Sequence, residues 1–390
     1  MRKLPSKYSI LVVMISAFFT TMVARLVISA VLPDIVASFD VTKAVVGLAL
    51  TGMWAIYALL QFPAGIFGSK YGERKMILLA VGLTGIASIL LALSPSFAFF
   101  SIFALFMGIG TGLYFTPAAT FLANIFENTG QALGSHVMGS PLAGLFAPVA
   151  AAYTALYFGW RAALLIGALI ALPVLAIGSL QLPETEPKTP DQTLRGHVNP
   201  TQIYGLVRPS ILYTTVLAGI CTFVWQSILS FFPTFLIEFK GISSVTASTM
   251  FGAIFVAVAV SAPISGNLSD KFGRDAVLAL LMTIGAAGFA TIVLVGSRLG
   301  AYIGILTIGI GMSWPGPVQS RYMDRFSEEE QGIGFGFVRT GYMLIGSMGS
   351  VVTGTIAESM GWISAYGLLG VLLFFLFALI AVNRILGLEL

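Results

Sequence analysis

Charge is what this sequence has least of. Only 9% of its 390 residues are Asp, Glu, Lys or Arg, against about 25% in soluble domains. With 57% hydrophobic residues, the composition alone points to a membrane protein. The single cysteine, Cys221, falls in an apolar run, which excludes a disulfide framework and a thiolate metal cluster. The two histidines, His136 and His197, are far apart in sequence. No P-loop, metal-ligand cluster or buried carboxylate pair is present, and the glycine-rich stretch 334–341 (GFGFVRTG) lacks the strand–turn–helix setting of a dinucleotide loop. No enzyme activity, cofactor or metal is therefore expected, and ATP-driven transport is disfavoured. The net charge of +4 follows from topology and implies no nucleic-acid partner.

Long hydrophobic runs are abundant. They fall near 8–32, 44–68, 75–96, 98–124, 131–157, 159–182, 210–236, 245–269, 275–297, 299–320, 331–357 and 361–385, each long enough for about 20 residues of spanning helix. The first run follows Arg2, Lys3 and Lys7 as in a signal peptide. It continues past Arg25, too long for a secretory core, and reads as an uncleaved first helix. The only long polar stretch, 183–208, reads as a cytoplasmic linker between halves 1–182 and 209–390. With the amino terminus inside, 14 of the 20 basic residues fall on the cytoplasmic side and 4 outside. The positive-inside rule then puts both termini of this multi-pass chain in the cytoplasm, in an inner membrane. Arg25 and Arg339 are the two left over.

The halves repeat at an offset of about 200. Pro33 pairs with Pro233, Gly108-Ile109-Gly110 with Gly309-Ile310-Gly311, Pro117 with Pro317, and Gly159-Trp160 with Gly361-Trp362. Two six-helix halves related by duplication are a transporter architecture, alternating access around a midplane site.

The loop 266–275, GNLSDKFGRD, resembles the cytoplasmic signature of the major facilitator superfamily, G-x-L-x-D-[RK]-x-G-[RK]; GIFGSKYGER (65–74) is a degraded copy. The resemblance covers the whole chain and implies an all-α membrane fold with 12 transmembrane helices in two pseudo-symmetric bundles. It also implies gate roles for Gly65, Gly72, Gly266, Asp270, Lys271, Gly273 and Arg274. Gly266 and Gly273 would permit close packing and a tight turn, and Asp270 would face the amino-terminal end of the fifth segment. Ser69 stands where the signature has Asp, so the first latch should be weaker.

A charge at bilayer depth costs roughly 2.5–3.5 kcal/mol and usually faces a wet cavity and a partner. Arg25 lies eight residues before Pro33 and Arg339 eight residues into the eleventh segment, each about 12 Å from its helix end. All 16 acids can be placed outside the apolar runs, so the arginines' partner is expected to be an anionic solute held by charge-assisted hydrogen bonds. Candidate binding residues are Arg25, Arg339, Tyr57, Tyr114, Trp225, Gln226, Tyr342 and His136, the last able to titrate near neutral pH. Thr21 and Ser29 share a helix face with Arg25. Trp54, Gln61, Thr111, Trp314 and Gln319 are left mostly to packing. The arginine in segment 1 with histidine in segment 5 is similar to organophosphate/phosphate antiporters, and other arginine placements to oxalate/formate exchangers and organic-acid symporters. No subfamily matches fully. The expectation is a monomeric secondary transporter of a small organic anion, most simply a carboxylate, with a coupled proton or counter-anion. The alternative is a multidrug or neutral-solute exporter in which both arginines are structural. A non-transporting receptor has no soluble domain to support it.

Overall fold

The computed structural model describes residues 6–188, 208–327, 331–388 and 390, with side chains from 334 onward after the second gap. Arg2, Lys3, Asp191, Arg195, His197, Glu328 to Glu330 and Glu389 lie outside the described residues. Among the described residues, every regular element is a helix. They are α1 (Lys7–Ala30), α2 (Leu32–Phe39), α3 (Lys43–Tyr71), α4 (Glu73–Ala92), α5 (Phe97–Gly112), α6 (Phe115–Ile125), α7 (Thr129–Val137), α8 (Gly139–Phe158) and α9 (Trp160–Gln181). Then come α10 (Pro209–Lys240), α11 (Ser244–Phe272), α12 (Arg274–Leu294), α13 (Arg298–Gly311), α14 (Pro315–Met323) and α15 (Gln331–Leu386).

Eleven helices are long and apolar enough to span a bilayer, the last covering Gly334–Leu386, 53 residues. At 1.5 Å per residue that is about 80 Å, more than twice a hydrocarbon core. It breaks at Gly361, whose φ of 80° no right-handed helix contains, so the described residues make twelve crossings.

The duplication extends to backbone detail. Gly72 and Gly273 have φ of 92° and 90°, Gly159 and Gly361 81° and 80°, and Asp40 and Gly241 50° and 65°. Positive φ is rare without glycine, so matched occurrences at one offset are not coincidence. Segment 4 is interrupted between α5 and α6, and segment 10 between α13 and α14. Repeated glycines also make repeated contacts. A Cβ on Gly108 would lie 2.4 Å from the Met53 carbonyl oxygen, and one on Gly309 would lie 2.9 Å from that of Ile254. Close approach through small residues is how membrane helices pack when apolar burial cannot drive them together.

The chain clusters into two compact units, residues 1–41 with 52–199 and residues 42–51 with 200–390. In the first, α1 packs against α4, α8 and α9, over a core that includes Met14, Phe18, Val81, Tyr114 and Phe121. In the second, α10 packs against α15, and Phe232, Phe235, Phe251, Phe289 and Tyr366 form a ring cluster. Cys221 is 1% exposed, its Sγ 3.6 Å from Met282 Sδ.

Candidate functional site

Helix α1 carries Arg25 into the first unit, where only 4% of it is exposed. Its Nε donates to the Thr21 carbonyl oxygen at 3.0 Å, the i−4 position, and one terminal nitrogen lies 3.2 Å from Met22 Sδ. The rest of the guanidinium meets α3. Its central carbon is 4.6 Å from the centre of the Tyr57 ring and 5.0 Å from that of Trp54. Those residues are three apart on one helix face, and their rings stand at 89° to each other. Trp54 and Tyr57 are themselves 6% and 5% exposed. Among the described residues, no ion pair includes Arg25.

Magnitudes explain how such a charge persists. A desolvated cation–π contact is worth up to about 2 kcal/mol, so two rings roughly match the 2.5–3.5 kcal/mol cost of placing the charge at depth. They offset the cost and cancel none of the charge. A guanidinium has five N–H donors; Thr21 and Met22 take two, and Tyr57 meets the guanidinium with its ring face. The donors that remain suffice for a bidentate carboxylate.

One turn beyond Tyr57 on α3 lies Gln61, 2% exposed. Its Nε2 donates to the carbonyl oxygens of Tyr57 at 3.3 Å and Gly112 at 3.5 Å. Its Oε1 is buried with no hydrogen-bond partner.

Tyr114 and His136 are brought together, but apart from Arg25. The Tyr114 hydroxyl donates to the Met14 carbonyl oxygen at 2.9 Å and lies 3.0 Å from His136 Nε2. A hydroxyl has one proton, so Nε2 must be the donor in the second contact, and Nδ1 is left buried without a partner. His136 is fully buried among Phe18, Tyr114 and Phe115. Met14 precedes Arg25 by 11 residues, about 16 Å of helix. Thr21 spends its hydroxyl on the Phe18 carbonyl oxygen.

In the second unit Trp225 is half-buried, its ring edge-on to Phe255 at 5.5 Å. Gln226 is 3% exposed and its Oε1 lacks a partner. Arg339 is half-buried on α15, and Tyr342 stacks with Tyr322 and meets Trp314 edge-on.

The signature loops differ in a way the sequence only hinted at. In the second copy Arg274 joins Asp270 and Asp324, the latter at 3.1 Å, and bonds Ser269 Oγ at 3.0 Å. Lys271 is exposed. Gly273 is required by its φ of 90°, whereas a Cβ on Gly266 would meet nothing within 4 Å. Close packing is therefore not what Gly266 provides in this conformation. In the first copy Gly65 packs against Thr116, and a Cβ on Gly72 would lie 2.6 Å from the Thr185 carbonyl oxygen. Glu73 occupies the register of Arg274 and Asn124 that of Asp324, so the charge pattern is inverted. Glu73, 1% exposed, accepts from Lys188 Nζ at 3.2 Å and Asn124 Nδ2 at 3.3 Å. The Lys188 amide donates to the Ser69 carbonyl oxygen at 2.8 Å, and Thr185 Oγ1 accepts from the Arg74 amide at 3.0 Å. The start of the expected linker is thus fastened across the loop.

Three functional-looking residues escaped the sequence reading. Trp54 and Gln61 were assigned to packing, because apolar periodicity does not reveal which face of α3 meets Arg25. Arg321 entered only as one of the 14 basic residues counted on the cytoplasmic side, and it is 4% exposed, paired with Asp275 and bonded to Thr214 Oγ1 at 3.0 Å.

The profile of the Major Facilitator Superfamily matches residues 13–350 and again 241–385. The chain belongs to that superfamily. It is a multi-pass membrane transporter by family, not an enzyme family member. It is 24% identical over 370 residues to YbcL, an MFS-type transporter of Bacillus subtilis strain 168, covering 92% of this chain and 91% of that one. It is 23% identical over 267 residues to the hexuronate transporter of the same organism, covering 65% and 63%. The fold is shared with a bacterial homolog of the human lysosomal transporter Spinster, with a TM-score of 0.80 at 18% identity over 97% of each chain.

Proposed function

We propose that this superfamily member is a secondary transporter that moves a small organic anion, a carboxylate, across the cytoplasmic membrane by alternating access. The observation that carries this reading is Arg25: buried, held by two rings, with N–H donors uncommitted and no carboxylate among its described partners. An anion entering this site would neutralise the charge that the rings leave in place. The similarity to a hexuronate transporter supports the same substrate class. Arg339 acts at a separate step, tuning a gate in the second unit, and both termini face the cytoplasm. Coupling is by symport with a proton or exchange for a counter-anion.

The test is glucuronate uptake into proteoliposomes containing the purified chain. Wild type accumulates the label without ATP, and Arg25→Ala loses at least about 90% of uptake while eluting as folded protein. Arg25→Lys keeps the charge without the planar fork and recovers only part of the loss. Full uptake by Arg25→Ala would overturn the reading. Thermal stabilisation by tetraphenylphosphonium and by no carboxylate would favour the exporter of cations or neutral solutes, with the arginines structural.

A further inference from the structure

Gln61 gives the proposed anion site a second requirement. Trp54, Tyr57 and Gln61 occupy positions i, i+3 and i+7 of α3, one stripe of the helix. The first two hold Arg25. The third sits four residues past Tyr57, about 6 Å further along the helix. Its amide orientation is fixed by its neighbours, because Nε2 faces two carbonyl oxygens, Tyr57 and Gly112, and carbonyls only accept. Oε1 is therefore the atom left over, buried and without a partner. The nearby hydroxyls do not serve it. Thr116 Oγ1 donates to the Gln61 backbone carbonyl oxygen, and Thr111 Oγ1 to those of Met107 and Gly108.

A buried acceptor with no donor is rare in folded proteins, and Gln61 lies one turn along α3 from the ring that holds an unneutralised guanidinium. We infer that the transported carboxylate also carries a hydroxyl several bonds from its carboxyl group, which donates to Gln61 Oε1 while the carboxylate lies on Arg25. This rests on the Arg25 reading and narrows it to hydroxylated acids. An ammonium group would also donate, but it would add a second positive charge to a site whose described neighbours include no acid. Sites built around a substrate hydroxyl reject the analogue lacking it far more strongly than apolar pockets distinguish a methylene, so the hydroxyl should weigh heavily in selectivity.

The probes are butyrate, 4-hydroxybutyrate and 4-aminobutyrate, titrated into the purified full chain with thermal unfolding as readout. In wild type, 4-hydroxybutyrate should stabilise half-maximally at a concentration at least about tenfold below butyrate. In Gln61→Leu that ratio should fall to about one. Gln61→Met is the second variant, used if Gln61→Leu does not elute as folded protein. Equal potency of the two acids in wild type overturns the inference, as does a preference that survives in the variants. A preference for 4-aminobutyrate overturns it in favour of a zwitterion. Butyrate stabilisation that persists in Arg25→Ala defeats the underlying anion site instead, and no response of wild type to any of the three defeats both.

Discussion

A buried arginine between two rings is a charge made tolerable without being spent. Were Trp54 only packing, Trp54→Leu would cost the stability of lost area alone, and ligand response would be untouched. If it holds the guanidinium, the variant loses the cation–π share as well, about 1–2 kcal/mol, and glucuronate stabilises it less than wild type. Trp54→Phe, which keeps a ring face, should restore part of both in a thermal unfolding series. Arg25 was legible from sequence because a charge inside an apolar run is conspicuous. Its rings were half legible: Tyr57 stood out by its hydroxyl, while Trp54 looked like ordinary core. The orphan Oε1 of Gln61 was not legible at all, since it depends on where the Gly112 carbonyl oxygen of α5 falls. Arg321 is a buried charge that the sequence did not single out. Its place near a helix end marked it only as a cytoplasmic-side charge, and packing beside Tyr213 and Thr214 of α10 encloses it.

At the scale of elements, hydropathy found the spans but not their interruptions. The break between α5 and α6 lies inside one continuous apolar run, where composition changes nothing. The matching break before α14 had a local signal in Pro315, whose ring disfavours helix at the preceding residue. The inverted first signature was readable only in part, because Glu73 in place of an arginine calls for a cation that sequence spacing does not supply. Lys188 comes from 115 residues away, across six helices. If that pair positions the loop, Glu73→Lys and Lys188→Glu should each lower transport several-fold and reduce melting temperature by a few degrees. The double charge swap should restore much of both. Glu73 is nearly fully buried and Lys188 is half-exposed, so the carboxylate variant should be the more damaging, as expected when one partner of a desolvated pair is removed.

Taken whole, the chain is two copies of one plan whose positive-φ positions, close-packed glycines and broken helices recur at one offset. Its superfamily was readable from the complete signature loop, but its cargo was not, because cargo is chosen by a few side chains that no repeat specifies. The basic-residue bias makes a separate prediction about the membrane. Cysteine introduced at Leu299, which is 69% exposed, should react with an impermeant maleimide added to intact cells. Cysteine at Tyr8, 85% exposed, should react only after permeabilisation. The opposite pattern would invert the topology.

That experiment draws on the burial of Cys221 against Met282. A reagent cannot reach a sulfur enclosed in this way, so the native chain is its own blank for thiol chemistry. Any position can be tagged singly without first stripping the protein of cysteine, and any pair of tags can serve as a ruler. The proposed alternation between inward and outward access can thus be followed as a distance in an otherwise unaltered molecule.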